Sequence, residues 1–233
     1  VVYVKGLDSI GDVDRDPIPF RYDQTNSLAT NAVRLATTTG VGRWVHNWDG
    51  KAETFGVKSA LIATQSDTPT MTVSDSRAAL QSAIDYMSEI GGGTIHLPAG
   101  TIQCSGSIYG RPRVCFQGAG GAANGFVGRT QRTVGLTYLE TITTNGFGVP
   151  VLVFNGPTHY TNEYNQSFVN TDGDTLTYYS GQNTVRDIVF TCYQVGAGGT
   201  NIFPVAGILA NMVDGLSIEK CSFITVRGYG IWA

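Results

Sequence analysis

The stretch 74–100 constrains the fold of this chain more than any other part of the sequence. Five apolar residues recur in it at the three- and four-residue spacing of one helix face: Leu80, Ala83, Ile84, Met87 and Ile90. Ser74 or Asp75 can cap the start of such a helix, and Gly91 can take the left-handed conformation that ends it. In residues 94–97 polar and apolar side chains then alternate, as in a half-buried strand. We therefore predict one amphipathic helix that leads into β-structure and covers its core.

The composition favours an all-β body. The chain has 233 residues, of which 30 are glycine and only 14% are charged, and strand-forming residues are plentiful. The formal net charge of −3 offers no basic surface to a nucleic acid. No apolar run approaches the roughly 18 residues that a membrane span needs. No secretory signal pattern is visible at the N-terminus. We therefore expect no nucleic-acid partner and no membrane insertion.

The cysteines predict free thiols rather than a metal site. None of them belongs to a CxxC or Cys/His pattern, and Cys115 and Cys221 lie among apolar neighbours in strand-like segments. The full set is Cys104, Cys115, Cys192 and Cys221. Disulfides are the alternative, and neither a metal nor an organic cofactor is expected.

Residues 1–57 are predicted to form a small β-rich connector domain. Strand patterns at 1–4 (VVYV), 20–23 (FRYD) and 42–45 (GRWV) are separated by polar or proline-bearing loops. The segment is too small and polar for a large core of its own, so contacts in an oligomer are expected to complete it. Residues 58–73 are predicted to be a linker.

Two groups of motifs resemble the start of phage tailspike depolymerases. The order VYVKG, FRYD, GRWV and Phe55-Gly56 resembles the N-terminal connector of that family. The segments ALQSAID (79–85) and GGGTIHLPAG (91–100) resemble the motif that begins its pectate-lyase-like β-helix. Residues 58–72 depart from the family, which has a shorter, Asp-rich link here. The resemblance implies an all-β fold in which a right-handed, single-stranded parallel β-helix over 74–233 is capped by one N-terminal α-helix.

Internal repeats favour the same solenoid. The segment AGILA at 206–210 recurs as YGIWA at 229–233. A second apolar pattern recurs in the same region: Val185, Ile188 and Phe190 return as Ile218, Cys221 and Phe223. A glycine-rich insertion at 195–201 accounts for the different spacing of the two repeats. The last strand pattern leaves its rung uncovered, so we expect the protein to continue beyond Ala233, with the present chain holding only the first rungs.

Charged residues of neighbouring rungs are the clearest candidates for chemistry. The repeat register places Asp187 opposite Lys220 and Arg186 opposite Glu219. This arrangement predicts surface pairs that stabilise the ladder. The alternative is a catalytic dyad of Asp187 and Glu219, because cleavage of a glycosidic bond generally needs two carboxylates.

Other polar residues have simpler structural explanations. The glycine-rich segment 118–125 lacks the Gly-Lys-Ser/Thr of a phosphate loop, and Asp172 and Asp174 flank a turn. His96 is expected to point outward as a solvated histidine. His46 and His159 are scattered and form no cluster with it. The tyrosines are expected to pack a loop onto the solenoid, with stacking on sugar rings as the alternative: Tyr160, Tyr164, Tyr178 and Tyr179. No catalytic, substrate-binding, cofactor-binding or metal-binding residue is assigned.

The family resemblance implies a phage tailspike that binds and depolymerises a bacterial surface polysaccharide, either a capsule or a lipopolysaccharide O-chain. This chain would be the attachment-proximal part of a homotrimer in the virion tail, with its N-terminal region on tail or baseplate proteins. Such a protein assembles in the host cytoplasm and is extracellular after release. Its catalytic residues, as a hydrolase or a lyase, are expected beyond this span.

Two other functions stay open. A non-catalytic structural, adaptor or receptor-binding spike is favoured by the lack of a convincing dyad in this segment. A secreted microbial pectate-lyase-like glycanase or lyase could use the same solenoid, although it predicts a signal peptide and more disulfides.

Overall fold

The computed structural model shows an antiparallel sheet, one α-helix and a solenoid of parallel sheets. It describes residues 2–4, 18–26, 34–62, 71, 73–121, 135–143, 150–155, 160–161, 167–168, 181–194, 205–211, 213–224 and 228–233. In this part of the chain no helix has the length and apolar character to cross a membrane.

The N-terminal sheet has four antiparallel strands in the order β1-β2-β4-β3. The strands are β1 (Val2–Val4), β2 (Ile18–Asp23), β3 (Arg34–Ala36) and β4 (Arg43–His46). Three of them coincide with the predicted strand patterns, whereas β3 is too short to show an alternating pattern. A 3-10 helix, Ala52–Phe55, follows, and Phe55 packs its ring 4.9 Å from that of Trp48.

The α-helix, α1 (Arg77–Glu89), covers one end of the solenoid core as predicted. Its buried apolar residues include four of the five predicted ones: Leu80, Ala83, Ile84 and Met87. Ile90 is the exception, with 53% of its surface exposed, because the helix ends at Glu89 and Ile90 lies beyond the last turn. At the other end the N-cap residue is Ser76 rather than the predicted Ser74 or Asp75, and its side chain makes no cap hydrogen bond. Asp75 Oδ1, one residue earlier, accepts the N–H of Arg77 (3.0 Å) and so satisfies a free donor of the first turn.

Asp75 also ties the helix to the solenoid. Its Oδ1 accepts the backbone N–H of Ser105 at 3.0 Å. Burial by itself raises the pKa of the Asp75 carboxyl, but the hydrogen bonds from Ser105 and Arg77 outweigh it and hold that pKa below its usual value. The carboxylate is therefore ionised at neutral pH and holds the start of the lid in place.

The solenoid consists of three parallel sheets, each with four described strands. Sheet I contains β5 (Gly93–His96), β8 (Val114–Gln117), β13 (Gly181–Arg186) and β16 (Asp214–Glu219). Sheet II contains β6 (Gly100–Cys104), β9 (Thr137–Thr143), β14 (Ile188–Gln194) and β17 (Ser222–Ile224). Sheet III contains β7 (Ile108–Tyr109), β10 (Leu152–Asn155), β15 (Val205–Asn211) and β18 (Gly228–Trp232). A short antiparallel pair, β11 (Tyr160–Thr161) and β12 (Ser167–Phe168), lies between the second and third rungs in sequence.

The chain visits the three sheets in the same order in every rung, which confirms the predicted parallel β-helix. The sequence repeats are register partners: Val185 pairs with Ile218, Phe190 with Phe223, and Ala206 with Tyr229. Equivalent inward positions therefore stack directly on one another along the solenoid.

The core is made of these inward rows. One row, on sheet I, is Ile95, Phe116, Val185 and Ile218. A second, on sheet II, is Ile102, Leu139, Phe190 and Phe223, in which the rings of Phe190 and Phe223 stack at 5.3 Å. Each turn buries its apolar side chains mainly against the turns above and below it, so the amphipathic lid is needed where the first turn has no neighbour.

The cysteines are unpaired in the described residues, which agrees with the predicted free thiols. Cys104 is buried, and Cys115 and Cys221 are half-buried. Burial raises the pKa of the Cys104 and Cys221 thiols, so both are protonated and poorly reactive at neutral pH. The side chain of Cys192 lies outside the described residues.

A column of left-handed residues lies at the start of the strands of sheet I, either just before the strand or at its second residue. Gly92, Arg113, Gln182 and Gly215 occupy equivalent register positions, with φ of 102°, 60°, 56° and 72°. At two of these four positions, Arg113 and Gln182, the residue is not glycine, and the left-handed conformation costs such a residue about 1–2 kcal/mol. The stacking of the turns therefore outweighs the local preference at those two positions.

Gly215 allows a clean test of that cost. A Cβ at Gly215 meets its nearest neighbour, Gln182 N, at an ordinary 3.4 Å, so a substitution probes backbone strain alone. We expect Gly215→Ala to lower the free energy of unfolding by about 1 kcal/mol. Gly215→Asn should lose less, because Asn tolerates this region. Urea denaturation of both variants measures the difference, and equal losses would contradict the strain argument.

Candidate functional site

The outward side of sheet I presents two rows of polar side chains. Strand alternation turns every second residue outward, and the parallel register aligns these residues from rung to rung. The first row is His96, Gln117, Arg186 and Glu219, and the second is Thr94, Cys115, Thr184 and Ser217. We call these eight residues the polar face.

The polar face is open to solvent along its first row. His96, Arg186 and Glu219 are exposed, and Gln117 is half-buried. Neighbouring strands lie about 4.8 Å apart, so a row of four residues spans about 14 Å along the solenoid axis. Lys51 extends this row by one further position, because it bridges to His96 in parallel register. The second row has shorter side chains, which leave the face shallow.

A hydrogen-bonded network fixes the centre of the first row. Gln117 Nε2 donates to Asp187 Oδ2 (2.7 Å) and to Gly118 O (2.9 Å). Gln117 Oε1 accepts from Arg186 Nε. Since Nε2 donates to two acceptors and arginine can only donate, the amide presents its oxygen to Arg186.

The predicted charge pairs are only partly present. The register pairing of Arg186 with Glu219 is confirmed. Within the described residues, however, no carboxylate lies within 4 Å of the Arg186 guanidinium, since the ion pairs found there are Arg34–Glu89, Lys51–Asp49 and Arg111–Asp85. Glu219 Oε1 instead accepts from Ser217 Oγ at 2.9 Å. The prediction of a ladder-stabilising ion pair is therefore wrong at this position, because each charged group has a nearer neutral partner.

The alternative dyad of Asp187 and Glu219 has neutral hydrogen-bond donors on both carboxylates. Asp187 lies in the turn between β13 and β14 with φ of 58°, and Lys220 takes the same conformation one rung later, with φ of 49°. The amide of Gln117 holds Asp187, and the hydroxyl of Ser217 holds Glu219. Both carboxylates serve to position neighbouring side chains.

The remaining predicted candidates lie in different parts of the chain. His96 lies on the polar face and is exposed, as predicted. Gly118 is the first residue of the glycine-rich segment and lies where the backbones of two rungs approach closely. A Cβ at this position would lie 2.0 Å from Asp187 O, so only glycine fits. His46 packs against Phe20 in the N-terminal sheet, with the rings 5.7 Å apart. The side chains of the other candidates lie outside the described residues: His159, Tyr160, Tyr164, Asp172, Asp174, Tyr178 and Tyr179.

Sequence reasoning missed a buried carboxylate on the outward side of sheet II. Glu140 is fully buried and accepts a hydrogen bond from Gln103 Nε2 at 2.8 Å, with Thr191 Oγ1 at 3.4 Å. Gln103 Oε1 in turn accepts the N–H of Val73 at 2.8 Å. The only sequence signal is the position of Glu140 in an outward register between Gln103 and Thr191, which becomes visible once the rungs are aligned.

This cluster holds residues that precede the lid helix against the solenoid. Ala60 pairs with Thr101 in an isolated antiparallel bridge, and Ser76 N–H donates to Gln103 O at 2.9 Å.

No group of three His, Cys, Asp or Glu side chains that could hold a metal ion occurs in the described residues. The polar face therefore remains the candidate site, with chemistry suited to hydrogen bonding an extended, hydroxyl-rich ligand.

Comparison with solved structures identifies the fold. The A-module of mannuronan C-5 epimerase AlgE4 from Azotobacter vinelandii superposes with a TM-score of 0.51 at 19% identity, covering 78% of this chain and 40% of that one. The chain is a parallel β-helix protein. It spans about 40% of the length of that epimerase module.

Two tailspikes give lower scores. The tailspike protein of Acinetobacter phage vB_ApiP_P1 has a TM-score of 0.41 at 12% identity, covering 89% of this chain and 32% of the tailspike. Tailspike gp49 of the Acinetobacter baumannii phage Fri1, a capsular polysaccharide depolymerase, has a TM-score of 0.40 at 14% identity, covering 83% and 36%. No protein-family model and no curated protein matches the sequence of this β-helix protein.

Proposed function

We propose that this β-helix binds a bacterial surface polysaccharide along its polar face, as the attachment-proximal part of a tailspike-like protein. The observation that carries the proposal is the polar face itself, which repeats hydrogen-bonding side chains at the spacing of the rungs. An extended polymer with repeated hydroxyl groups is the ligand class that such a periodic surface suits. The connector and first-rung motifs support the assignment to a phage virion.

The other parts of the proposal follow from the tailspike interpretation. The protein is a homotrimer, its N-terminal region attaches it to tail or baseplate proteins, and the polysaccharide is a capsule or a lipopolysaccharide O-chain. Depolymerisation of that polysaccharide proceeds by hydrolysis or by elimination. Light scattering of the purified protein tests the trimer, and a monomer would count against the tailspike interpretation.

A specific observation favours a non-catalytic spike as the second candidate. Both carboxylates of the considered dyad are engaged by Gln117 and Ser217 rather than poised over an open site. Incubation of the full-length protein with host polysaccharide separates the two candidates. New reducing ends or an unsaturated sugar product indicate a depolymerase, whereas binding without either product indicates a receptor-binding spike.

Thr184→Trp tests the polar face directly. Thr184 lies in the middle of the second row, where an indole would cover the shallow surface without entering the core, and Trp is well tolerated in strands. We expect at least about ten-fold weaker binding to a panel of capsular polysaccharides and lipopolysaccharides, which corresponds to about 1.4 kcal/mol. Biolayer interferometry with immobilised glycans measures it.

The matched control is Thr39→Trp, which places the same side chain on an exposed turn of the N-terminal sheet. This variant should bind like the parent. Equal binding by parent and Thr184→Trp would show that the polar face is not the binding surface.

A further inference from the structure

Arg186 is held in one orientation by a relay of two hydrogen bonds. Asp187 Oδ2 accepts from Gln117 Nε2 at 2.7 Å, and Gln117 Oε1 accepts from Arg186 Nε. The bond to Nε fixes the plane of the guanidinium at its inner edge. The two terminal nitrogens, Nη1 and Nη2, therefore form the outer edge of an exposed side chain.

Arg186 makes no direct ion pair within the described residues. Its register partner Glu219 accepts from Ser217 instead, at 2.9 Å. Within the described residues no carboxylate lies within 4 Å of Arg186 or of the exposed Lys220, which follows Glu219 in the next turn. Arg186 thus presents an oriented fork to solvent that no carboxylate of the described residues contacts directly.

An oriented guanidinium fork matches a planar or tetrahedral anion. Two parallel N–H donors bind a carboxylate or a phosphate bidentately, which adds geometric selectivity to charge attraction. We infer that Arg186 determines ligand specificity by binding an anionic group, a uronate carboxylate or a sugar phosphate, of the polysaccharide. This inference rests on the proposed function and specifies its substrate class as acidic rather than neutral glycans. Gln117 acts as a positioning residue for Arg186.

Four probes and three variants test the inference on the whole chain. The probes are tetragalacturonate, its carboxyl-reduced neutral counterpart, a glycerol-phosphate glycan oligomer and inorganic phosphate, and binding is measured by isothermal titration calorimetry. Arg186→Gln should weaken binding of the acidic probes about ten- to a hundred-fold, as expected for lost hydrogen bonds to a charged group. Arg186→Lys keeps the charge but loses the fork, so its loss should be intermediate. Tighter binding of tetragalacturonate or of the glycerol-phosphate oligomer distinguishes a carboxylate from a phosphate site.

Gln117→Leu separates positioning from charge. It frees the guanidinium without changing the net charge of the protein, so we expect several-fold weaker binding with the same dependence on salt concentration. Arg186→Gln, in contrast, should flatten the salt dependence. Arg21→Gln is the matched control, since Arg21 is an exposed arginine of the N-terminal sheet, and it should bind like the parent.

The outcomes separate this inference from the proposed function. Loss of binding in Thr184→Trp but not in Arg186→Gln would overturn the inference and keep the polysaccharide-binding face. Equal affinity for tetragalacturonate and its neutral counterpart would overturn it as well. Failure of the parent to bind any glycan of the capsule and lipopolysaccharide panel would overturn both.

Discussion

Ile84→Asp in the lid helix is expected to lower the free energy of unfolding by at least about 4 kcal/mol. Ile84 has no exposed surface and packs in the main core cluster together with residues of the first rung, such as Ile95 and Ile102. The substitution removes the burial of a large aliphatic side chain, worth about 2–3 kcal/mol, and adds the desolvation of a carboxylate that has no partner there. Urea denaturation followed by tryptophan fluorescence measures the loss.

Ala78→Asp is the control for the lid. Ala78 is exposed in the first turn of the same helix, where a carboxylate is favourable to the helix dipole, so this variant should unfold like the parent or slightly later. An Ile84→Asp protein with the same denaturation midpoint as Ala78→Asp would show that the helix does not cover the core.

Glu89→Gln is expected to lower the free energy of unfolding by about 2 kcal/mol, through the contact between the N-terminal sheet and the lid. The guanidinium of Arg34, 4% exposed, donates to both oxygens of Glu89 at 2.6 and 2.7 Å and lies over the ring of Tyr86 with its Cζ 5.0 Å from the centroid. Removing the carboxylate charge leaves this buried cation without its counter-charge, which is more costly than removing both partners. The expected loss of stability is smaller than for a fully buried ion pair, because the Glu89 side chain is 38% exposed and solvent screens its charge.

A double-mutant cycle with Arg34→Met isolates this interaction. Arg34→Met with Glu89→Gln should be more stable than Glu89→Gln alone, because the buried charge is gone. Glu53→Gln, at a half-buried glutamate with no ion pair in the described residues, controls for the loss of one negative charge. Additive effects of the Arg34 and Glu89 substitutions would mean that the pair contributes nothing to docking.

Aromatic rings surround this contact and extend it. Trp48 lies 5.7 Å from Tyr86, and Phe55 lies 5.8 Å from the same ring. Burial raises the pKa of the Tyr86 hydroxyl, so the ring stays neutral throughout the physiological range. The N-terminal sheet thus contacts the lid through the buried Arg34 cation, beside an aromatic cluster of Trp48, Phe55 and Tyr86.

Much of the solenoid could be predicted from the sequence because its determinants are local. The helix lid is visible in a 3.6-residue apolar period, and the rung register is visible in the return of Val185 and Phe190 as Ile218 and Phe223. Ile90 marks the limit of such reasoning. It continues the apolar period, yet the backbone leaves the helix at Glu89 and exposes it.

The candidate site could not be predicted to the same depth. Charge pairing by register suggested that Arg186 bonds Glu219, but the side chain turns the other way, to Gln117 on the preceding rung. Gln117 and Arg186 are 69 residues apart in the chain, and Arg34 and Glu89 are 55 apart. No periodicity connects residues at such distances, because the insertions between rungs differ in length.

Local periodicity was enough to predict one amphipathic helix that leads into β-structure, together with the core-facing side chains of that helix. Burial of apolar side chains selects one face of a helix or strand whatever lies further along the chain. Which polar groups meet on the outside, in contrast, followed only from the folded arrangement of the rungs. A long polar side chain there has several possible partners on the rungs above and below. Only the folded geometry determines that Arg186 Nε donates to Gln117 and that the outer edge of the guanidinium faces solvent.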